Sequence, residues 1–232
     1  MRYDRQIGYI GEEGQMKLKD STVTIVGCGG LGCSAVTQLA IAGVGHLRIV
    51  DMDVISDSNL NRQFVHCNKE GSKVASMWDW ISKISDAQVT CFDERLTDDN
   101  ADGIIEGSDI VIDCLDNNIS RSVLNRAILR KGIPLVHGGV NRMYGQVTLI
   151  IPGRTPCLDC IMTSDDGDKQ VIGAAASVIG SIQAAEAIKY ITGKGVTLEG
   201  RLLTVDLEKD VFNVIGIKRR KDCRSCHTFS TA

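Results

Sequence analysis

Three prolines in 232 residues leave no Pro-rich linker, and no internal repeat or low-complexity tract divides the chain. No apolar run reaches the length of a membrane span, and the opening Met1-Arg2-Tyr3-Asp4 lacks an apolar signal core. Neither sign of charge dominates: 26 basic against 29 acidic side chains give a net charge of −3. Nucleic acid is therefore not a default partner. One basic run, Lys218-Arg219-Arg220-Lys221, is short and reads as a solvated approach to the cysteines after it. These absences, with an apolar fraction of 43%, predict a single cytoplasmic globular domain over residues 1–232 with a substantial core.

Cysteine, by contrast, is plentiful, and four of the nine stand in two short hooks, Cys157-Leu-Asp-Cys160 and Cys223-Arg-Ser-Cys226. Two such hooks can give four thiolates to one tetrahedral Zn²⁺ and tie the C-terminal part of the chain back to its middle. A redox dithiol and thiols lying in an apolar core are the rival readings, and the second hook favours structural zinc. His227 follows Cys226 and can substitute as a ligand. The remaining Cys28, Cys33, Cys67, Cys91 and Cys114 share no spacing pattern and read mostly as buried small hydrophobes. Nine cysteines without a secretion signal fit a reducing cytosol. A closed four-sulfur site builds structure only, so chemistry must lie elsewhere.

From residue 20 to about 140, short β-branched runs alternate with helical patterns. Candidate strands are 22–26, 47–50, 88–92, 110–112 and 134–137, with helices over 31–42, 72–85 and 119–130. Continuous apolar strands in this order predict a Rossmann-like, doubly wound, mostly parallel sheet. Beyond residue 141 the pattern predicts a strand over 146–151, an exposed polar connection over 163–169, a small-residue helix over 174–191, and two strands near 202–206 and 211–217. That last portion extends the sheet and carries the zinc hooks.

Gly27-Cys28-Gly29-Gly30-Leu31-Gly32 satisfies GxGxxG between the first strand and first helix. Such a turn lets backbone N–H groups approach phosphate at a helix N-terminus. Asp51 ends the second strand at the spacing of a ribose-binding acid. NAD and ATP fit this much equally. Cations decide between them: Arg62 sits in the polar loop Asp57-Ser58-Asn59-Leu60-Asn61-Arg62-Gln63, and Lys73 begins the next helix. Charge on a departing pyrophosphate needs such groups, whereas a dinucleotide has little use for them. The fourth strand ends in Asp113-Cys114-Leu115-Asp116-Asn117, where an acid could hold Mg²⁺ or simply cap the following helix.

Together these segments resemble the ThiF/MoeB/HesA family, relatives of the adenylation domain of ubiquitin-activating enzymes. The resemblance runs nearly end to end. It rests on Arg2-Tyr3-Asp4-Arg5-Gln6-Ile7, GCGGLG at 27–32, Asp51-Met52-Asp53, Ser58 to Gln63, Asp113 to Asn117, both zinc hooks, and the helix containing Gly180 to Lys189. It implies ATP- and Mg²⁺-dependent adenylation of the C-terminal glycine of a ubiquitin-like sulfur carrier with a Gly-Gly tail. Such carriers serve thiamin, molybdopterin and cysteine synthesis.

The same resemblance implies roles for single residues. Gly27, Gly29, Gly30 and Gly32 would cradle the nucleotide, Asp51 and Asp53 would lie on its ribose side, and Asn59, Arg62 and Lys73 would contact phosphate. Asp116, beside Asn117, would hold magnesium. Arg5 would reach into a partner subunit's site, which implies a homodimer. Two departures stand out. The chain from Arg62 to Lys73 is about two residues short, which makes Lys69 an alternative to Lys73. Residues 161–172 contain no cysteine, so the carrier is expected to form no covalent adduct, and sulfur would come from a separate donor. A tRNA-modifying dehydratase and a non-catalytic activating subunit are the alternatives within the superfamily.

Overall fold

The computed structural model describes residues 2–162 and 170–226. The 163–169 connection and His227 lie outside the described residues. Eight strands form one sheet: β1 (Thr22–Val26), β2 (His46–Val50), β3 (Gln88–Phe92), β4 (Ile110–Asp113), β5 (Leu135–Asn141), β6 (Tyr144–Ile150), β7 (Arg201–Asp206) and β8 (Val211–Gly216). Their spatial order is β3-β2-β1-β4-β5-β6-β7-β8. The first five are parallel and the last three join them antiparallel. Helices are α1 (Asp4–Asp20), α2 (Gly30–Ala42), α3 (Lys73–Ile84), α4 (Ala101–Ile105), α5 (Asn118–Lys131), α6 (Leu158–Ile161) and α7 (Gly173–Thr192).

Alternation along each strand feeds two apolar layers. Val23, Ile25, Ile110 and Ile112 pack into the layer built with α1, α2, α3 and α7. Val26, Val111 and Leu135 pack into the opposite layer with α4, α5 and Leu158. Both faces are covered, which is why these strands read as unbroken apolar runs. The small residues of α7 let it cross α2 closely: a Cβ at Gly180 would stand 2.4 Å from the Leu31 carbonyl oxygen.

Helices α1, α4 and α6 and the inner ends of β5 and β6 depart from the sequence pattern. Helix α1 buries only Ile10, Gly14 and Leu18, and kinks at Gly11 (φ 78°, ψ 167°), so its apolar period is too sparse to read. Strands β5 and β6 run further toward each other than their apolar cores indicate. They zip into a hairpin from Leu135↔Ile150 to Asn141↔Tyr144, closed by Arg142 at φ 54°. Among the described residues, no helix is long and apolar enough to cross a membrane.

Candidate active site

Strands β1, β2, β4 and β5 end on one edge of the sheet, and a cavity of about 800 Å³ opens there. Its floor is the glycine turn. Gly27 (φ 103°) has no room for a side chain, since a Cβ would lie 2.5 Å from the Cys114 carbonyl oxygen. Gly29 caps α2 and lines the cavity with Gly27 and Gly30, so the positive end of the helix faces the space. Gly32 does not reach the cavity wall. A Cβ there would fall 2.1 Å from the Gly27 carbonyl oxygen, so this glycine packs the helix onto the turn.

Asp51 follows β2 and lines the cavity. Its Oδ2 accepts from the Cys28 N–H at 2.7 Å and its Oδ1 from the Asp53 N–H at 2.8 Å. Burial raises its pKa above the ordinary value, and these bonds and Lys73 only partly oppose that. Lys73 is 4% exposed and puts its Nζ 2.7 Å from Asp53 Oδ2. Both line the cavity, so the cation is held rather than loose. Lys69, the alternative, instead points to Asp79 (2.8 Å) and the Ser76 carbonyl (3.1 Å). A single helical turn at Phe64–His66 lies within the short stretch between Arg62 and Lys73.

Arg62 also lines the cavity. Asn59 does not; its Oδ1 accepts from the Arg62 guanidinium at 2.7 Å and so orients the cation. Asp116 and Asn117 stand on the facing loop after β4. The cap of α5 is Asn117, whose Oδ1 accepts from the Ser120 N–H at 2.9 Å. Asp116 is therefore not the cap and keeps its carboxylate at the cavity. Arg5 lies exposed on α1 and takes no part in the cavity of its own chain.

The four zinc-hook sulfurs lie within 4.8 Å of one another. Cys157–Cys223 and Cys160–Cys226 are each 3.6 Å apart, and Cys157–Cys160 is 4.0 Å. Four sulfurs each about 2.3 Å from one tetrahedral ion stand roughly 3.8 Å apart, so the donor set fits Zn²⁺. Burial opposes charging of Cys223, but the N–H groups of Cys226 and Ser225 outweigh it and bring the thiol down to about 7. Burial instead raises its neighbours Cys157 and, to about 11, Cys226, so a cation is what would stabilise four thiolates together.

The model of the ThiF family matches residues 3–225. This chain belongs to the ThiF family. Adenylyltransferase and sulfurtransferase MOCS3 of Drosophila sechellia is 41% identical to it over 239 residues, covering 97% of this chain and 53% of that protein. The SAMP-activating enzyme E1 of Haloferax volcanii is 37% identical over 238 residues, covering 97% of this chain and 88% of that protein. The chain thus spans about half the length of the MOCS3 relatives it matches. Among solved structures, E. coli MccB with ATP superposes with a TM-score of 0.86 at 21% identity, over 97% of this chain and 74% of that one. That likeness shows the fold.

The ThiF-family cavity also has walls that the motifs did not reveal. Glu94 to Asp98 follow β3 and line it; since ligands gather beyond the carboxyl ends of parallel strands, strand order would have flagged them. Gln63, Cys114, Arg121 and Asn141 line it as well. Arg121, one turn into α5, stacks its charge against the fully buried Asp113 (3.3 Å) and donates to the carbonyls of Leu115 and Gly138. His137 Nδ1 lies 2.7 Å from the same Asp113 carboxylate. Burial pushes the Asp113 pKa up, yet Arg121 and His137 outweigh it and hold the carboxyl below its ordinary value. No local spacing announces this trio, because β4, α5 and β5 meet only through the fold.

Proposed function

We propose that this ThiF-family protein adenylates the C-terminal glycine of a small ubiquitin-like sulfur carrier, using ATP and Mg²⁺. The carrier's carboxylate oxygen bonds to the α-phosphorus while the bond from that phosphorus to the bridging oxygen breaks. An acyl-adenylate remains and pyrophosphate leaves. Because the nucleophile belongs to the carrier, the enzyme has only to position and to neutralise charge. One observation supports this most: a single cavity is lined by the glycine turn, Arg62 and Lys73, and Asp116.

In this reading, turn N–H groups and the two cations receive the phosphates, and Asn59 fixes Arg62. Asp51 and Asp53 take the ribose side. Asp116, with Asn117 beside it, would hold Mg²⁺, which supplies positive charge at the phosphate oxygens. Residues 161–172 lack cysteine, so the adenylate is handed to a separate sulfur donor without a covalent enzyme adduct. The exposed Arg5 completes the cavity of a second copy in a homodimer.

Carrier-dependent ATP–pyrophosphate exchange, run over a panel of Gly-Gly-tailed carriers, tests the proposal. Wild-type protein should exchange with at least one carrier, and Asp116→Ala should lose about 100-fold or more. Arg5→Ala should also be poor alone, while mixing it with Asp116→Ala should restore activity, since one cavity of each mixed dimer is intact. No exchange with any carrier refutes the function. Absence of rescue on mixing refutes the shared site.

A further inference from the structure

His66 is fully buried, and the proposed chemistry gives it no role. It stands in the loop between Arg62 and Lys73, and both of its ring nitrogens are engaged. Nε2 lies 2.9 Å from the Cys28 carbonyl oxygen, in the middle of the glycine turn. Nδ1 lies 2.9 Å from Ser76 Oγ, on α3. A carbonyl oxygen can only accept, so Nε2 carries the proton and Nδ1 accepts from the serine hydroxyl. Burial lowers the pKa of His66, consistent with this neutral tautomer.

The consequence follows from peptide geometry. The unit joining Cys28 to Gly29 is planar and trans, so its C=O and N–H point in opposite directions. The carbonyl is turned back into the protein onto His66. The Gly29 N–H is thereby turned the other way, away from His66, and Gly29 itself lines the cavity. The preceding peptide is pinned separately, by the bond from the Cys28 N–H to Asp51. A turn with glycine at 27, 29 and 30 is free to flip a peptide, and a flipped 28–29 unit would present a carbonyl oxygen to a phosphate.

We infer that His66 is a positioning residue: it locks the 28–29 peptide so that the Gly29 N–H points at the nucleotide's phosphates. Through Ser76 it also fixes α3, whose first residue is Lys73, in register with the glycine turn. The inference rests on the cavity holding a nucleoside triphosphate, but on nothing about the carrier.

The test is equilibrium binding of ATP and of adenosine, by calorimetry, to the full chain and to variants at this position. Adenosine lacks phosphate and reports the rest of the cavity. His66→Leu keeps the apolar bulk but removes the donor. It should bind ATP about 10- to 100-fold more weakly, the loss of one charge-assisted hydrogen bond, with adenosine unchanged. His66→Gln, whose amide nitrogen reaches about as far as Nε2, should recover ATP affinity to within about 3-fold of wild type. His66→Asn places its amide at the Nδ1 position and should bind ATP as poorly as the Leu variant. If the Leu variant does not fold, the Gln and Asn pair carries the test alone. Equal ATP affinity in those two, or parallel losses of ATP and adenosine, would overturn the inference. Wild-type protein that binds no ATP would overturn the nucleotide reading itself. Wild-type ATP affinity that survives in every variant would overturn only the role of His66.

Discussion

At the scale of single residues, two buried histidines make stability respond to pH. His66 and His137 are 0% and 1% exposed, and burial lowers the pKa of each. His137 faces Asp113, Arg121 and Gln146; around His66 stand Asp51, Lys69 and Lys73. Asp113 favours protonation of His137, but desolvation and the Arg121 charge oppose it. A histidine with a depressed folded pKa is protonated first in the unfolded chain. Between the two values the unfolded state binds more protons, so stability falls as pH drops below the unfolded pKa near 6.5. Each histidine that stays neutral should cost about 1.4 kcal/mol per pH unit below that value. Urea unfolding at pH 7.5, 6.5 and 5.5 should show this decline, and His137→Gln should make it shallower. A slope unchanged by that substitution would mean that His137 titrates in the fold as it does in the unfolded chain.

Among the elements, α5 shows how a local signal and a functional one can overlap. Asn117 caps it through the Ser120 N–H, and Gly132 ends it in the left-handed conformation at φ 68°. Asn117→Ala should therefore cost about 1 kcal/mol in urea unfolding, whereas Asp116→Ala should cost much less. A larger loss from the Asp116 change would reassign the cap. Adjacent acid and amide left the capping role open in sequence, and only the direction of the Asn117 side chain separates them. Strands were legible for a different reason. With helices on both faces, β1, β4 and the start of β5 had to be largely apolar, and their order along the chain named the sheet. The hairpin ends at Asn141 and Tyr144 were not legible, since polar residues there pair through backbone alone. Helix α1 was hidden by its glycines and its narrow buried stripe. For the candidate cavity, most of what lay in one turn or loop could be read: Gly27, Gly29, Gly30, Asp51, Arg62, Lys73 and Asp116 line it, whereas Gly32 and Asn59 do not. Arg121 on α5, Asn141 at the end of β5 and residues 94–98 after β3 reach the same cavity from separate elements, and no local spacing encodes that meeting.

For the molecule as a whole, the two ends of the sheet do different work. Every residue proposed for phosphate, ribose or magnesium precedes α5 and gathers at the carboxyl edge of the parallel strands. The cysteine cluster lies past β6, whose last residue, Ile150, pairs with Leu135 at the opposite edge. It closes a loop with 62 residues between Cys160 and Cys223 that contains α7, β7 and β8. Cross-linking a loop of that length removes conformational entropy from the unfolded chain worth about 4 kcal/mol, if the metal acts as a covalent link would. If the cluster holds one zinc per chain, Cys223→Ser should lose it, read by elemental analysis, and lower unfolding stability by several kcal/mol. Nucleotide affinity should change little, roughly 3-fold or less, because none of the four cysteines lines the cavity. The other outcome is as informative. If zinc loss abolishes ATP binding in protein that still unfolds cooperatively, the clamp acts through an element it shares with the cavity wall, α5, whose Asn125 accepts from the Leu158 N–H and whose Arg121 lines the cavity, or α7, whose Ala176 does, and the division between a structural edge and a chemical edge fails.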